Sequence, residues 1–140
     1  MTDLVVTVPQ GLWQDWLREG DLAGEAASGQ GFAFTVGGGP GSAGPPCRYG
    51  DRLYVVAWGR LRGFAPVVQV RPAGRGWAIV RRGGAVAVTI DERVPGFQGW
   101  RARWWPRDAE RPFPDWQTAG VGEAGAVAPG RAARGQGRLL

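Results

Sequence analysis

The stretch that decides the fold is DRLYVVAWGRLRGFAPVVQV, residues 51–70. Two β-rich runs, Arg52 to Trp58 and Leu61 to Val70, flank Gly59-Arg60. A two-residue connection opening on Gly is the signature of a type II′ hairpin. The first run is apolar on both faces, with Leu53, Val55 and Ala57 on one and Tyr54, Val56 and Trp58 on the other. A strand of that kind belongs inside a barrel or under a covering helix. Pro66 within the second run points to an edge or a bulge, because proline cannot donate to a ladder.

Working outward, Leu4 to Val8 reads as a strand that Pro9 ends. Leu12, Trp13, Trp16 and Leu17 then form one wide apolar helical face, which predicts a helix over Pro9–Glu19. Phe32, Phe34 and Val36 alternate with Ala33 and Thr35, which predicts a strand. Gly37 to Pro46, with five glycines and three prolines, is a loop. Downstream, Trp77 to Arg82 and Ala85 to Ile90 read as a second hairpin around Gly83-Gly84. Phe97, Trp100 and Trp104 follow at helical spacing, so a short helix is expected before Pro106. From Gln117 onward, large apolar residues nearly vanish. The division expected is one domain over 1–116 and a disordered, basic Ala/Gly/Arg-rich tail over 117–140. The fold class is mainly β (α+β): a small antiparallel pseudo-barrel with one or two short helices.

Composition excludes much chemistry. Among 140 residues there is no His, no Lys and no Asn, and all seventeen basic residues are Arg. A Ser-His-Asp triad, a Cys-His pair, a Lys Schiff base and a His-based zinc site within one chain are ruled out. The single cysteine, Cys47, excludes an intramolecular disulfide framework and fits a reducing, cytoplasmic setting. No apolar run approaches the ~20 residues of a membrane-spanning helix, and no signal-peptide pattern is present, so no membrane partner is expected. No cofactor is implied. Charge is uneven: residues 1–44 carry one Arg against five acids, whereas 45–116 carry thirteen Arg against six acids. The basic body is suited to an anion.

The opening strand and helix, the run Gly50-Asp51-Arg52-Leu53-Tyr54-Val55 and the return Arg62-Gly63-Phe64-Ala65 together resemble the PUA-like superfamily, closest to its ASCH and EVE branches. The resemblance covers roughly residues 4–90 as a pattern. It implies a pseudo-barrel with a cleft beside it for RNA or for a flipped, often modified base. Some ASCH members are hydrolases acting on acetylated cytidine with a Lys and a Thr near the first helix and a distal Glu. This chain has no Lys and lacks the Gly-x-Lys-x-x-Glu-x-Arg stretch, for which Gly24-Glu25 is a poor substitute, so that chemistry does not carry over.

Candidate binding residues come from two places. In Trp100-Arg101-Ala102-Arg103-Trp104-Trp105, rings stack on bases and guanidiniums hold phosphates; the same spacing is also that of a buried face, with Trp100 and Trp104 in the core. Arg60, Arg62, Arg81 and Arg82 lie at or beside turns and would form one basic rim if the hairpins were adjacent. Asp91-Glu92 after a strand could read a base amine or act as a general base, or be a solvated turn. The expected function is a nucleic-acid-binding module that recognises a modified or flipped base, with Arg60, Arg62, Arg82, Arg101 and Arg103 on phosphates and Trp100 or Trp104 on a base. The alternatives are a hydrolase of a modified nucleoside using carboxylate and water, and a protein–protein adaptor with a basic face. RNA and DNA are both open as partners.

Overall fold

The computed structural model describes residues 2–14, 31–37, 44–82 and 86–122. Among these residues eight strands follow in chain order: β1 (Leu4–Thr7), β2 (Gly31–Val36), β3 (Arg52–Ala57), β4 (Arg60–Ala73), β5 (Gly76–Arg82), β6 (Val88–Thr89), β7 (Trp100–Ala102) and β8 (Arg111–Pro112). Six of them form one sheet in the order β2-β5-β4-β3-β1-β7, and β6 and β8 pair separately. The sheet curls into a half-barrel, so the chain is mainly β. Neighbours run antiparallel except β1 and β3, which are parallel with Val5 opposite Tyr54. No helix among the described residues is long and apolar enough to cross a membrane.

The double-sided apolar pattern of β3 has its expected consequence. Leu53, Val55 and Ala57 join Leu4, Val6, Val8, Trp13, Phe34 and Ile79 in one buried cluster. Tyr54 and Val56 face the other way, into a second cluster with Val5, Leu61, Ile90, Val94, Phe97 and Trp105. Among the described residues, no regular helix covers that second face. The irregular return of the chain from Ile90 to Trp105 covers it, and the backbone N–H of Phe97 donates to Thr7 Oγ1 on β1 at 3.3 Å.

Four sequence expectations change. The β3–β4 turn is Trp58-Gly59, one residue earlier than expected, with Ala57 opposite Arg60. Its central residues both have positive φ, +52° and +72°, which is a type I′ sign pattern, not II′. The second hairpin is β4–β5, closed by Gly74-Arg75 with Ala73 opposite Gly76. There Gly74 has φ +56° and supplies the left-handed first position that a II′ turn needs. The described residues after β5 do not pair back on it: Val86 bridges Phe64 of β4, and β6 pairs with β8. Finally, Trp100 starts the edge strand β7 opposite Val6 instead of a helix. A period near 3.6 over three aromatics does not distinguish a helix from a short strand followed by a bend.

The helix expected over Pro9–Glu19 begins as a 3-10 turn, Gln10–Leu12, with Trp13 at helical φ and ψ; from residue 15 on it lies outside the described residues. Most of the loop 37–46 and the turn Gly83-Gly84 lie outside them too. Pro66 sits inside a central strand, where β4 hands over from β3 to β5. Arg52 is opposite Pro66 and Val67 is opposite Arg81, with a bulge just beyond. At the other end, Ala119 and Val121 pack against the first cluster, so packing continues past the boundary drawn at 116. Residues 123–140, most of the expected tail, lie outside the described residues.

Candidate functional site

The expected basic rim does not form. Arg81 is opposite Val67, seven positions along β4 from Arg60, or about 23 Å at strand rise. Arg60 stays half-buried at the β3–β4 turn. Arg82 ends β5 opposite Gly31, and only its backbone place is described. Arg81 is buried with its guanidinium 5.4 Å from the Phe34 ring centroid.

Arg62 is turned inward and fully buried, at 0% exposure. It donates Nε–H to the Ala57 carbonyl at 2.8 Å and Nη1–H to the Trp116 carbonyl at 3.0 Å. The Trp13 and Phe113 rings lie 5.5 and 5.4 Å from its guanidinium carbon. A buried cation survives only when such acceptors replace water. Burial, aided by the nearby Arg60 charge, pushes Arg62 down to about 10, which leaves it protonated at neutral pH. Arg62 is therefore a core brace, and a phosphate outside the domain cannot reach it.

Arg103 is also committed within the domain. Its Nε–H donates to Asp3 Oδ2 at 3.1 Å, and a second guanidinium N–H donates to the Trp105 carbonyl. Arg107 Nη2 reaches the same Asp3 oxygen at 2.9 Å, and Asp3 Oδ1 accepts from Arg52 N–H at 3.0 Å. Burial by itself would raise the Asp3 carboxyl, but the Arg52 N–H and the Arg107 and Arg103 guanidiniums outweigh it and hold Asp3 below its ordinary value. One buried carboxylate thus fastens the 103–107 segment to the start of β1.

That fastening presents a tryptophan. Trp100 is half-buried against the first cluster. Trp105 is buried, meets Tyr54 edge-on at 5.1 Å and donates its indole N–H to Glu110 Oε2 at 2.9 Å. Trp104 is 43% exposed, and its ring stands at 88° to Trp105 with centroids 4.9 Å apart. It forms one wall of a cleft of about 550 Å³ whose other lining includes Asp91, Glu92, Asp108, Glu110 and Arg111. That volume is within the ordinary range for small-ligand sites. On the same face of the sheet, Arg101 is exposed and lies 4.4 Å from the Phe97 ring centroid.

The carboxylates differ in what they have left to offer. Glu110 Oε2 accepts from the Tyr54 hydroxyl at 2.5 Å as well as from Trp105, and Oε1 accepts from Arg52 at 3.3 Å. Burial first, then this carboxylate, raises Tyr54 to about 12, so it remains a neutral donor. Asp91 accepts from Arg111 at 2.8 Å in an exposed pair. Glu92 and Asp108 are exposed and have no partner among the described residues. The cleft therefore offers an aromatic plate and acceptor groups.

Sequence reasoning reached Trp104 and Asp91-Glu92 but not Asp3, Asp108, Glu110 or Arg111. One signal for the Glu110 network was available: a tyrosine in an apolar strand needs a partner for its hydroxyl. No family model, curated protein or solved structure matches this chain.

Proposed function

We propose that this chain is a nucleic-acid-binding module that takes a base, single-stranded or extruded, against Trp104. One observation carries the reading. Seven of the eight tryptophans fall among the described residues, six of them are buried or half-buried, and Trp104 alone is exposed, propped on a fixed ring at the mouth of a cleft. Exposure of a large ring costs solvation free energy, and a base restores the covered state by stacking. Arg101 and Arg111 are exposed on that side and are suited to the flanking phosphates. The PUA-like resemblance leads to the same class of ligand and adds a modified base as a candidate.

The test is retention of single-stranded DNA and RNA decamers at low salt. Each phosphate contact contributes a salt slope of about 0.7 for a single strand. Arg101→Gln with Arg111→Gln is expected to weaken binding and flatten that slope. Absence of binding to any RNA or DNA at low salt, modified bases included, contradicts the reading and favours a protein–protein adaptor.

A further inference from the structure

Resting on that reading and extending it, we infer that the cleft takes guanine in preference to the other bases. The argument is one of donors and acceptors. Apart from Arg111, the charged side chains that line the cleft are carboxylates, and Arg111 already donates to Asp91. Glu110 accepts three hydrogen bonds within the domain. Glu92 and Asp108 retain both oxygens, with no partner among the described residues. An ionised carboxylate only accepts. The base edge that meets it has to donate, and a lone pair presented to it is repelled.

The bases differ sharply on this count. Thymine and uracil present one N–H between two carbonyls. Adenine and cytosine present an amino group beside a ring-nitrogen lone pair. Guanine sets its ring N1–H beside an amino N–H, two parallel donors spaced to meet both oxygens of one carboxylate. Bidentate pairing of this kind gives base discrimination that single contacts do not. A purine also covers more of the Trp104 face than a pyrimidine does. Phosphates stay clear of the carboxylates if the base alone enters, with the backbone running over the arginine side.

The experiment uses the full chain and thymidine decamers carrying one central substitution, read by fluorescence anisotropy at fixed low salt. The decamer with a central guanine is expected to bind about tenfold more tightly than the all-thymidine decamer. Hypoxanthine, which lacks the 2-amino group, should lose most of that gain. Either Glu92→Gln or Asp108→Asn should collapse the ratio between the guanine and thymidine decamers. Equal affinity for every central base, with binding still dependent on Trp104, overturns the guanine inference and leaves base binding standing. Failure of every decamer to bind, with agmatine instead perturbing the tryptophan fluorescence of the wild type and not of Trp104→Ala, overturns both and makes the cleft a site for an organic cation.

Discussion

Replacing Arg62 by Ala removes a charge that has no carboxylate partner among the described residues yet holds the β3–β4 turn to the C-terminal segment. Its two shorter hydrogen bonds, to Ala57 and Trp116 at 2.8 and 3.0 Å, involve a charged donor and contribute about 1.5–3 kcal/mol each. The variant no longer buries an ion, which returns several kcal/mol. It also takes from the Trp116 carbonyl its charged donor, at about 1–3 kcal/mol, while the Ala57 carbonyl stays in the hairpin opposite Arg60, and it opens space between Trp13 and Phe113. The balance is a loss of about 3 kcal/mol. For a domain near 100 residues, each kcal/mol shifts Tm by about 4–8 °C, so a drop of about 12–24 °C is expected. Urea denaturation followed by circular dichroism measures it, with Arg62→Met as a volume-matched comparison of intermediate stability. Unchanged stability together with weaker oligonucleotide binding and a flatter salt slope would refute the reasoning, because it would place Arg62 on a phosphate.

Two further outcomes follow from the same contacts. The folded chain holds the Asp3 proton less tightly than the unfolded chain does, so this stabilisation is present above about pH 4 and is lost as pH falls through the folded value; Asp3→Asn should be less stable than wild type at pH 7, and denaturation midpoints taken down to pH 2 should show the gap closing. A chain ending at Trp116 should be about 1–2 kcal/mol less stable than one ending at Gly122, because it loses the Gln117 carbonyl that accepts from Trp13 Nε1 at 3.3 Å and the packing of Ala119 and Val121; equal melting temperatures would contradict that docking.

The fold was legible where local chemistry and packing agree. Alternation around Gly59 and the two-faced β3 announce a central hairpin in a covered sheet, and that is what forms. The turn register slips by one because Trp58 adopts φ +52°, a region that bulky side chains rarely enter. The β4–β5 turn was hidden because Arg71, Pro72 and Ala73 carry no strand signal, and β4 is held to Ala73 by its neighbour's pairing. Trp104 could be read as a candidate from its arginine neighbours. Which of the two adjacent tryptophans is buried was not legible: Trp105 takes the buried place beside Tyr54 and Trp104 is left exposed. Arg62 beside a turn and Arg103 among tryptophans misled because an arginine in either place reads the same whether its guanidinium meets solvent, a carbonyl or a carboxylate. The contacts that decide it join residues 54 and 100 positions apart, and Glu110 meets Tyr54 across 56. Separations of that size leave no local periodicity to read.

The most direct measurement compares Trp104→Ala with Trp100→Ala for both melting temperature and affinity for a single-stranded guanine-containing decamer. Trp104→Ala should keep the melting temperature near wild type and weaken binding by about 1–3 kcal/mol, the loss of one base stack, with the salt slope unchanged. Trp100→Ala should instead lower the melting temperature, because its ring packs on the core. A Trp104→Ala variant that binds the decamer as tightly as wild type would contradict the account.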